Sequence, residues 1–316
     1  RHISPLLPPA APSHSNRNHR RRRRRRRAAP VVTLLGGSAL PTAGCARVPT
    51  VDAFKRENGA AIHATPEQVD AVLSHMATYA PPARDCREAV RAVEREIFAE
   101  HAAFLVGNQA LDFSKQDGIT EIEESVQANV VERRLNDALF ADELAGRLEI
   151  NRAPAIVGCV SNFSNFLDLC RKTLRNLELG VPVVILSRSN VTQHMFRWSE
   201  LLVQLCDKHG VDKGMVTYLS ASLEEQRRVF QTCAPDSPMY FTCSRGIAQI
   251  LRELHGPVMS STGGPNTLVS TSLTPAVSEA VRMSATIENA GQCTALRHAV
   301  IPGVTEDDVA RIFDGV

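Results

Sequence analysis

The chain has 316 residues, 43% of them hydrophobic, enough to bury the core of one large domain or two ordinary ones. It has no apolar run of about eighteen residues, which excludes a membrane-spanning helix, and its 18 Gly and 18 Pro exclude collagen-like and wholly disordered classes. The net charge of +2 hides an asymmetry: residues 1 to 51 hold eleven Arg, no Lys and no acid, and the remainder holds 25 basic and 34 acidic residues. An acidic body disfavours nucleic acid as a partner.

The opening is an Arg-rich leader with an unbroken run from Arg20 to Arg27, followed by the mildly apolar stretch Ala28 to Leu40. Such a segment reads as an organelle-targeting or export signal, with a basic RNA-binding patch and plain low-complexity sequence as the competing readings. Residues 1 to 51 are therefore expected to be a disordered leader outside the fold, and a mitochondrion or plastid is the expected destination, with the cytoplasm as the alternative. The eight cysteines are scattered, with no C-x-x-C pair, which argues against a zinc cage or a disulfide scaffold.

Helical signals begin at Thr65. Thr65, Pro66 and Gln68 make a capping box with proline at the first helical position, ahead of an apolar stripe at Val69, Val72, Leu73 and Met76. A second helix is predicted from near Asp85, with Val90, Val93, Ile97, Phe98, Phe104 and Leu105 on its buried face. A third begins at Thr120, where Glu121, Glu123 and Glu124 suit a helix start, and carries Val126, Val130, Leu135, Leu139 and Leu144.

After Pro154 short apolar runs alternate with amphipathic helices, the pattern of a parallel sheet covered on both faces. Strands are predicted at Ala155 to Val160, Val181 to Leu186, Met215 to Leu219 and Met239 to Thr242. Helices are predicted at about Asn165 to Leu179, Thr192 to His209, Leu223 to Gln231 and Arg245 to Leu254. The fold class is α/β: a doubly wound parallel sheet with a helical N-terminal scaffold. Its ligand belongs at the carboxyl ends of the strands, Ser161 to Asn165, Ser187 to Asn190 and Thr242 to Arg245. The Gly-x-Gly-x-x-Gly fingerprint is absent.

Two later runs carry chemistry. In Glu288 to Arg297 a lone cysteine, Cys293, sits in a polar loop of small residues between a predicted helix and strand, where turn amides can help lower a thiol pKa. Taken alone, such a cysteine reads more simply as a small buried residue. Gly263 and Gly264 allow backbone to pass close to a ligand, and in isolation read as a turn.

Five segments, in order, carry a resemblance: INRAPAIVGCVSNFSNF (Ile150 to Phe166), LGVPVVILSRSN (Leu179 to Asn190), YFTCS (Tyr240 to Ser244), STGGPN (Ser261 to Asn266) and NAGQCTALR (Asn289 to Arg297). From about Arg152 to Gly303 the chain resembles the aldehyde dehydrogenase superfamily, nearest the pyrroline-5-carboxylate (glutamate semialdehyde) dehydrogenase branch. The resemblance implies a Rossmann-like domain with N-terminal helices over 52 to 265 and the start of an incomplete α/β catalytic domain over 266 to 316. It implies NAD or NADP as cofactor, a small-molecule aldehyde as substrate and, at full length, a homo-oligomer. Cys293 matches the nucleophile and Asn165 the side-chain amide of the oxyanion hole. Ser161, Ser187, Arg188, Phe241, Ser244, Gly263 and Gly264 fall on the cofactor-binding stretches, and Ser244 at a helix start is the best phosphate contact among them.

The departures also bear on function. The family's general-base glutamate is Ser261 here, and serine is no useful proton acceptor near neutral pH. The lysine that contacts the adenosine ribose is missing from Leu186, Ser187, Arg188 and Ser189, where Arg188 suits a 2′-phosphate, though a plain surface arginine is the simpler reading. Glu288 is a candidate substitute base, though a solvated surface acid is the simpler reading. Val316 follows Cys293 by only 23 residues, so the chain reads as a fragment. Two alternatives follow from these departures and from Arg20 to Arg27: a catalytically impaired pseudoenzyme serving as a binding module, and a basic-tail RNA binder. A third variant passes the thioester to phosphate or coenzyme A.

Overall fold

A computed structural model describes residues 29–52, 54–113, 118–159, 165–187, 189–256, 258–286 and 293–315. The leader's Arg20 to Arg27 lies outside the described residues. The expectation that everything up to residue 51 stands apart from the fold is corrected for 29–51. β1 (Leu34–Leu35) pairs with β2 (Ser38–Ala39) and, through Leu34, with Tyr218 of the main sheet. β3 (Ala46–Val51) forms an antiparallel hairpin with β4 (Glu57–His63). Val31 is fully buried and bridges Ala61. The apolar run Val31–Val32 and Leu34–Leu35 has core to fill, and burial outweighs the leader-like composition around it.

α1 (Pro66–Thr78) starts on the expected capping box. Thr65 accepts from the Gln68 amide and the Gln68 side chain accepts from the Thr65 amide, which satisfies two of the helix's free amides. Val69, Val72 and Met76 are buried against the sheet. The second predicted helix is two: α2 (Arg87–Glu96) passes through a π turn, Ile97–His101, into α3 (Ala102–Phe113). The extra residue per turn rotates the later face, so Ala102, Leu105 and Val106 point inward while Phe104 is exposed.

α4 (Gly118–Leu144) corrects the apolar stripe read for it. Val126, Leu135 and Leu144 are exposed, and the buried face holds Glu121, Ser125, Asn129, Asn136 and Phe140. The reason lies in its partner, the continuous helix 165–178 built from α5 (Asn165–Leu169), a π turn (Cys170–Leu174) and α6 (Arg175–Glu178). That helix buries Arg175 and Glu178, and buried charges need polar neighbours. Asn136 donates to Glu178 at 2.6 Å and to the Arg175 carbonyl at 3.0 Å. Arg91 meets Glu178 at 2.8 Å and Arg175 meets Glu94 at 2.8 Å.

The main sheet runs β2-β1-β7-β6-β5-β8-β9, with β5 (Ala155–Cys159), β6 (Val183–Leu186), β7 (Val216–Leu219), β8 (Met239–Thr242) and β9 (Val258–Ser261) all parallel. Four of these parallel strands match the sequence-based expectation; β9, whose second half is two serines, is an addition to it. Alternate residues serve opposite faces. Val157, Ile185 and Tyr218 pack on the side of helix 165–178 and α7 (Thr192–His209), whereas Ile156, Val184, Leu219 and Phe241 pack on the side of α1, α8 (Leu223–Thr232) and α9 (Arg245–Leu254). The sheet is thus doubly wound, and its order reverses between β5 and β8.

One ion pair fastens the scaffold to this sheet. Arg152, just before β5, donates to Glu143 near the end of α4 at 2.6 Å through two nitrogens and to the Leu179 carbonyl at 3.0 Å. The Arg152 guanidinium holds the Glu143 carboxyl down at about 2. A lowered carboxyl pKa stabilises the fold at and above the ordinary glutamate range and loses that contribution as pH falls toward the folded value. Glu143→Gln is therefore expected to lower the Tm at pH 7, and the gap to the wild type to close progressively as pH falls from about 5 toward about 2. A gap independent of pH would contradict this assignment.

After β9 the chain forms a second, smaller unit: β10 (Thr267–Val269), α10 (Pro275–Thr286) and β11 (His298–Val300), with β10 and β11 parallel, then α11 (Glu306–Ile312). No helix among the described residues is long and apolar enough to cross a membrane.

Candidate active site

The reversal of strand order between β5 and β8 opens a crevice at their carboxyl ends, the usual ligand position in such sheets. An apolar slot of about 250 Å³ lies there between α8 and α9. Its floor is Gly158, Leu186 and Phe241, and its walls include Leu223, Phe230, Ile247 and Leu251. Phe241 is held edge-on by Phe230, with ring centroids 5.6 Å apart, and lies over Gly158. A Cβ at Gly158 would sit 2.3 Å from the Phe241 ring, so only glycine lets the ring settle there. Gly158→Ala is expected to cost about 1–3 kcal/mol by overpacking, read as a fall in the urea midpoint; an unchanged midpoint would mean that the ring moves freely.

Ser244 caps α9 by accepting from the Ile247 amide at 3.4 Å, and it is exposed beside the crevice at a helix N-terminus. Ser187 is placed differently from a free contact residue. Its hydroxyl is buried and hydrogen-bonded to the Tyr218 hydroxyl, and its carbonyl accepts from Gln226 at 3.0 Å. Ser161, Arg188 and Glu288 lie outside the described residues. Asn165 opens α5 at the end of the β5 connection; its side chain also lies outside the described part.

Cys293 is exposed and begins the turn that leads to β11. A Cβ built on Gly263 would lie 3.8 Å from the Cys293 Cβ, so two segments thirty residues apart in sequence lie side by side. Asn266 makes this junction: its side-chain amide donates to the Cys293 carbonyl at 2.7 Å and to the Ala295 carbonyl at 3.0 Å, and its carbonyl accepts from the Arg297 amide at 2.9 Å. Sequence reasoning stops at the glycines of this segment. The available signal is an asparagine, a residue able to tie loops, two positions beyond them.

The described thiols differ in setting. Burial pushes Cys206 up to about 12 and Cys233 up to about 11, and raises Cys170, Cys86 and Cys243. Those thiols are held protonated by desolvation, while Cys293 is open to solvent.

On the other face of the sheet a polar cavity of about 500 Å³ lies between α4, helix 165–178 and the ends of β8 and β9. Ser260 and Ser261 line it together with Asp168 and Lys172. Thr242, the register partner of Ser261, donates to the Asp168 carboxylate and accepts from Lys172 at 2.5 Å, and Lys172 meets Asp168 at 3.2 Å. Asp168 and Lys172 escape sequence reasoning because an i, i+4 pair on a helix resembles an ordinary surface ion pair.

No family model matches the chain, and no curated protein does either. Solved structures do. HpcC from Thermus thermophilus superposes with a TM-score of 0.69 at 15% identity, over 90% of this chain and 59% of that one. Betaine aldehyde dehydrogenase from Staphylococcus aureus, solved with NAD+, gives 0.70 at 11% identity over 89% and 59%. 1-Pyrroline-5-carboxylate dehydrogenase from Thermus thermophilus gives 0.68 at 14% identity over 89% and 59%. The fold is therefore the Rossmann-like α/β fold of aldehyde dehydrogenases, and the chain spans about three fifths of the length of these neighbours.

Proposed function

We propose that the chain is an aldehyde dehydrogenase-type oxidoreductase in which Cys293 is the nucleophile and the crevice at β5 and β8 holds NAD or NADP. The observation that carries this reading is the meeting of Cys293 with the Gly263 loop at the carboxyl edge of a doubly wound sheet whose crevice contains a ring-sized apolar slot. The residues present fit a dinucleotide. The slot suits a planar base, Phe241 and Gly158 shape its floor, and Ser244 presents a helix N-terminus to a phosphate. Ser161, Ser187, Arg188, Gly263 and Gly264 complete the assigned cofactor stretch, with Ser187 acting through its backbone carbonyl and Gln226.

In the reaction the Cys293 thiolate adds to the aldehyde carbon, forming a C–S bond while the carbonyl oxygen takes the negative charge. The Asn165 amide and the Cys293 backbone N–H are the two donors assigned to that oxygen, and they act mainly on charge that develops in the adduct. The nicotinamide, when bound, supplies the two-electron acceptor that turns this adduct into a thioester. Hydrolysis then needs a base for water. Ser261 offers none, Asp168 is engaged by Lys172 and Thr242, and Glu288 is left as the one candidate the sequence names, so in this reading release of the acyl group is the slow step.

Mixing the protein with NAD or NADP and a panel of short aldehydes and semialdehydes tests this. The expected trace is a burst of reduced cofactor approaching one equivalent per protein, followed by much slower turnover that phosphate or coenzyme A accelerates if either is the acceptor. Absence of a burst and of turnover with every aldehyde would leave the second reading, a binding or assembly module on the same fold, which Ser261 favours. An organelle as destination and a homo-oligomer as assembly remain part of the proposal; the RNA-binding alternative rests on Arg20 to Arg27 alone.

A further inference from the structure

The apolar slot has one charged residue on its lining, Arg227, and no carboxylate. Arg227 stands on α8 one turn after Leu223, on the same face, and is exposed. Its neighbour Arg228 is committed elsewhere, to Glu225 at 2.8 Å, to Asp70 and to the Pro66 carbonyl at 2.8 Å. Arg227 has no such partner among the described residues. The acids of α8 do not offset it at the slot: Glu225 serves Arg228, and the exposed Glu224 does not line the cavity.

A second, independent feature is the end of β6, the strand beside β5. In doubly wound sheets a ribose 2′-hydroxyl is met by a carboxylate about there, whereas a 2′-phosphate is met by an arginine nearby. From Ser187 to Gln193 this chain has no acidic residue and one arginine, Arg188, which lies outside the described residues; Arg227 is the arginine that lines the slot. A planar guanidinium can take a phosphate through two parallel hydrogen bonds, and at the rim of an apolar slot it does so without being buried.

Resting on the cofactor reading above, we infer that Arg227 is a specificity residue that selects an adenosine carrying a 2′-phosphate, with the base in the slot between α8 and α9. The ligand class is the 2′-phosphorylated dinucleotide rather than its 2′-hydroxyl counterpart.

The test is calorimetric titration of the full chain with adenosine 2′,5′-bisphosphate and with 5′-AMP, for the wild type, Arg227→Gln and Arg227→Lys. The wild type is expected to bind the bisphosphate at least about tenfold more tightly than AMP. Arg227→Gln is expected to erase that preference while leaving the AMP affinity within about twofold, and Arg227→Lys to keep part of it as a point charge without the fork. Equal binding of the two nucleotides by the wild type, or a preference that survives Arg227→Gln, overturns the inference and leaves the cofactor crevice standing. Failure of both nucleotides to bind removes the crevice as a cofactor site and the inference with it.

Discussion

Replacing Cys293 with alanine is expected to remove both the burst and the steady-state reduction of cofactor, a fall of roughly 10⁴-fold or more. That scale is typical of a nucleophile acting as a unit with its surroundings. Without the sulfur no adduct forms, so the oxyanion donors have no charge to stabilise. The apolar slot proposed for the nucleotide lies between α8 and α9 and contains no part of the Cys293 turn, so nucleotide affinity should stay within about twofold. Cys45, half-exposed and hydrogen-bonded to Gln68 at 3.4 Å, is the matched control, and its alanine variant should keep full activity. A Cys293→Ala protein that retained a tenth of the wild-type rate would remove the thiol from the mechanism.

Glu178 is expected to give the largest loss of stability. Its side chain is fully buried and accepts from Arg91 at 2.8 Å and Asn136 at 2.6 Å, with Arg175 at 3.3 Å. Glu178→Ala removes a counter-charge from the buried Arg175 and from the partly buried Arg91, which keeps Asp137. Breaking a buried pair from one side costs about 3–5 kcal/mol, because the remaining charges stay desolvated. The urea midpoint should fall accordingly. Arg147→Ala, which breaks an ion pair with Asp142 whose partners are 63% and 41% exposed, should change stability by less than about 0.5 kcal/mol. Equal effects from the two substitutions would mean that the Glu178 network is solvated. The network also explains α4: a helix whose partner buries Arg175 and Glu178 turns Asn129 and Asn136 inward and leaves Leu135 and Leu144 outside.

The parts of the fold legible in the sequence are those where a local rule and the tertiary packing agree. The Thr65 capping box, the strands from Ala155 to Thr242 and the helices between them fall in this group. Each strand is a short run of apolar residues, buried on both faces, and nothing competes with that signal. The misreadings share the opposite property. Phe104 reads as core only if a straight helix runs through what is in fact a π turn. The α4 stripe fails because apolar periodicity carries no information about a partner that buries charge. Val31 and Leu34 are masked by the arginines that precede them, although their own composition suits a core. β9 ends in Ser260 and Ser261, whose place in the sheet comes from pairing with Phe241 and Thr242 rather than from their type.

The candidate site divides in the same way. Cys293, Gly263 and Ser244 are picked out on the sequence by the resemblance, since each alone reads as a buried thiol, a turn or a helix cap. Asn266 and the Asp168–Lys172–Thr242 cluster act through contacts between segments far apart in sequence. Arg227 gains meaning only from the slot beside it, since on the sequence it is one more arginine on an amphipathic helix.

The proposed function requires Cys293 to be a reactive thiol coupled to a nucleotide crevice. Labelling the purified chain with limiting iodoacetamide near neutral pH, with and without NAD and NADP, and resolving all eight cysteines by mass spectrometry tests it most directly. Cys293 is expected to label well ahead of Cys86 and Cys206, which burial holds protonated, and its rate to change when nucleotide is present. Labelling of Cys293 no faster than Cys86 in folded protein, unchanged by either nucleotide, would contradict the thiol mechanism.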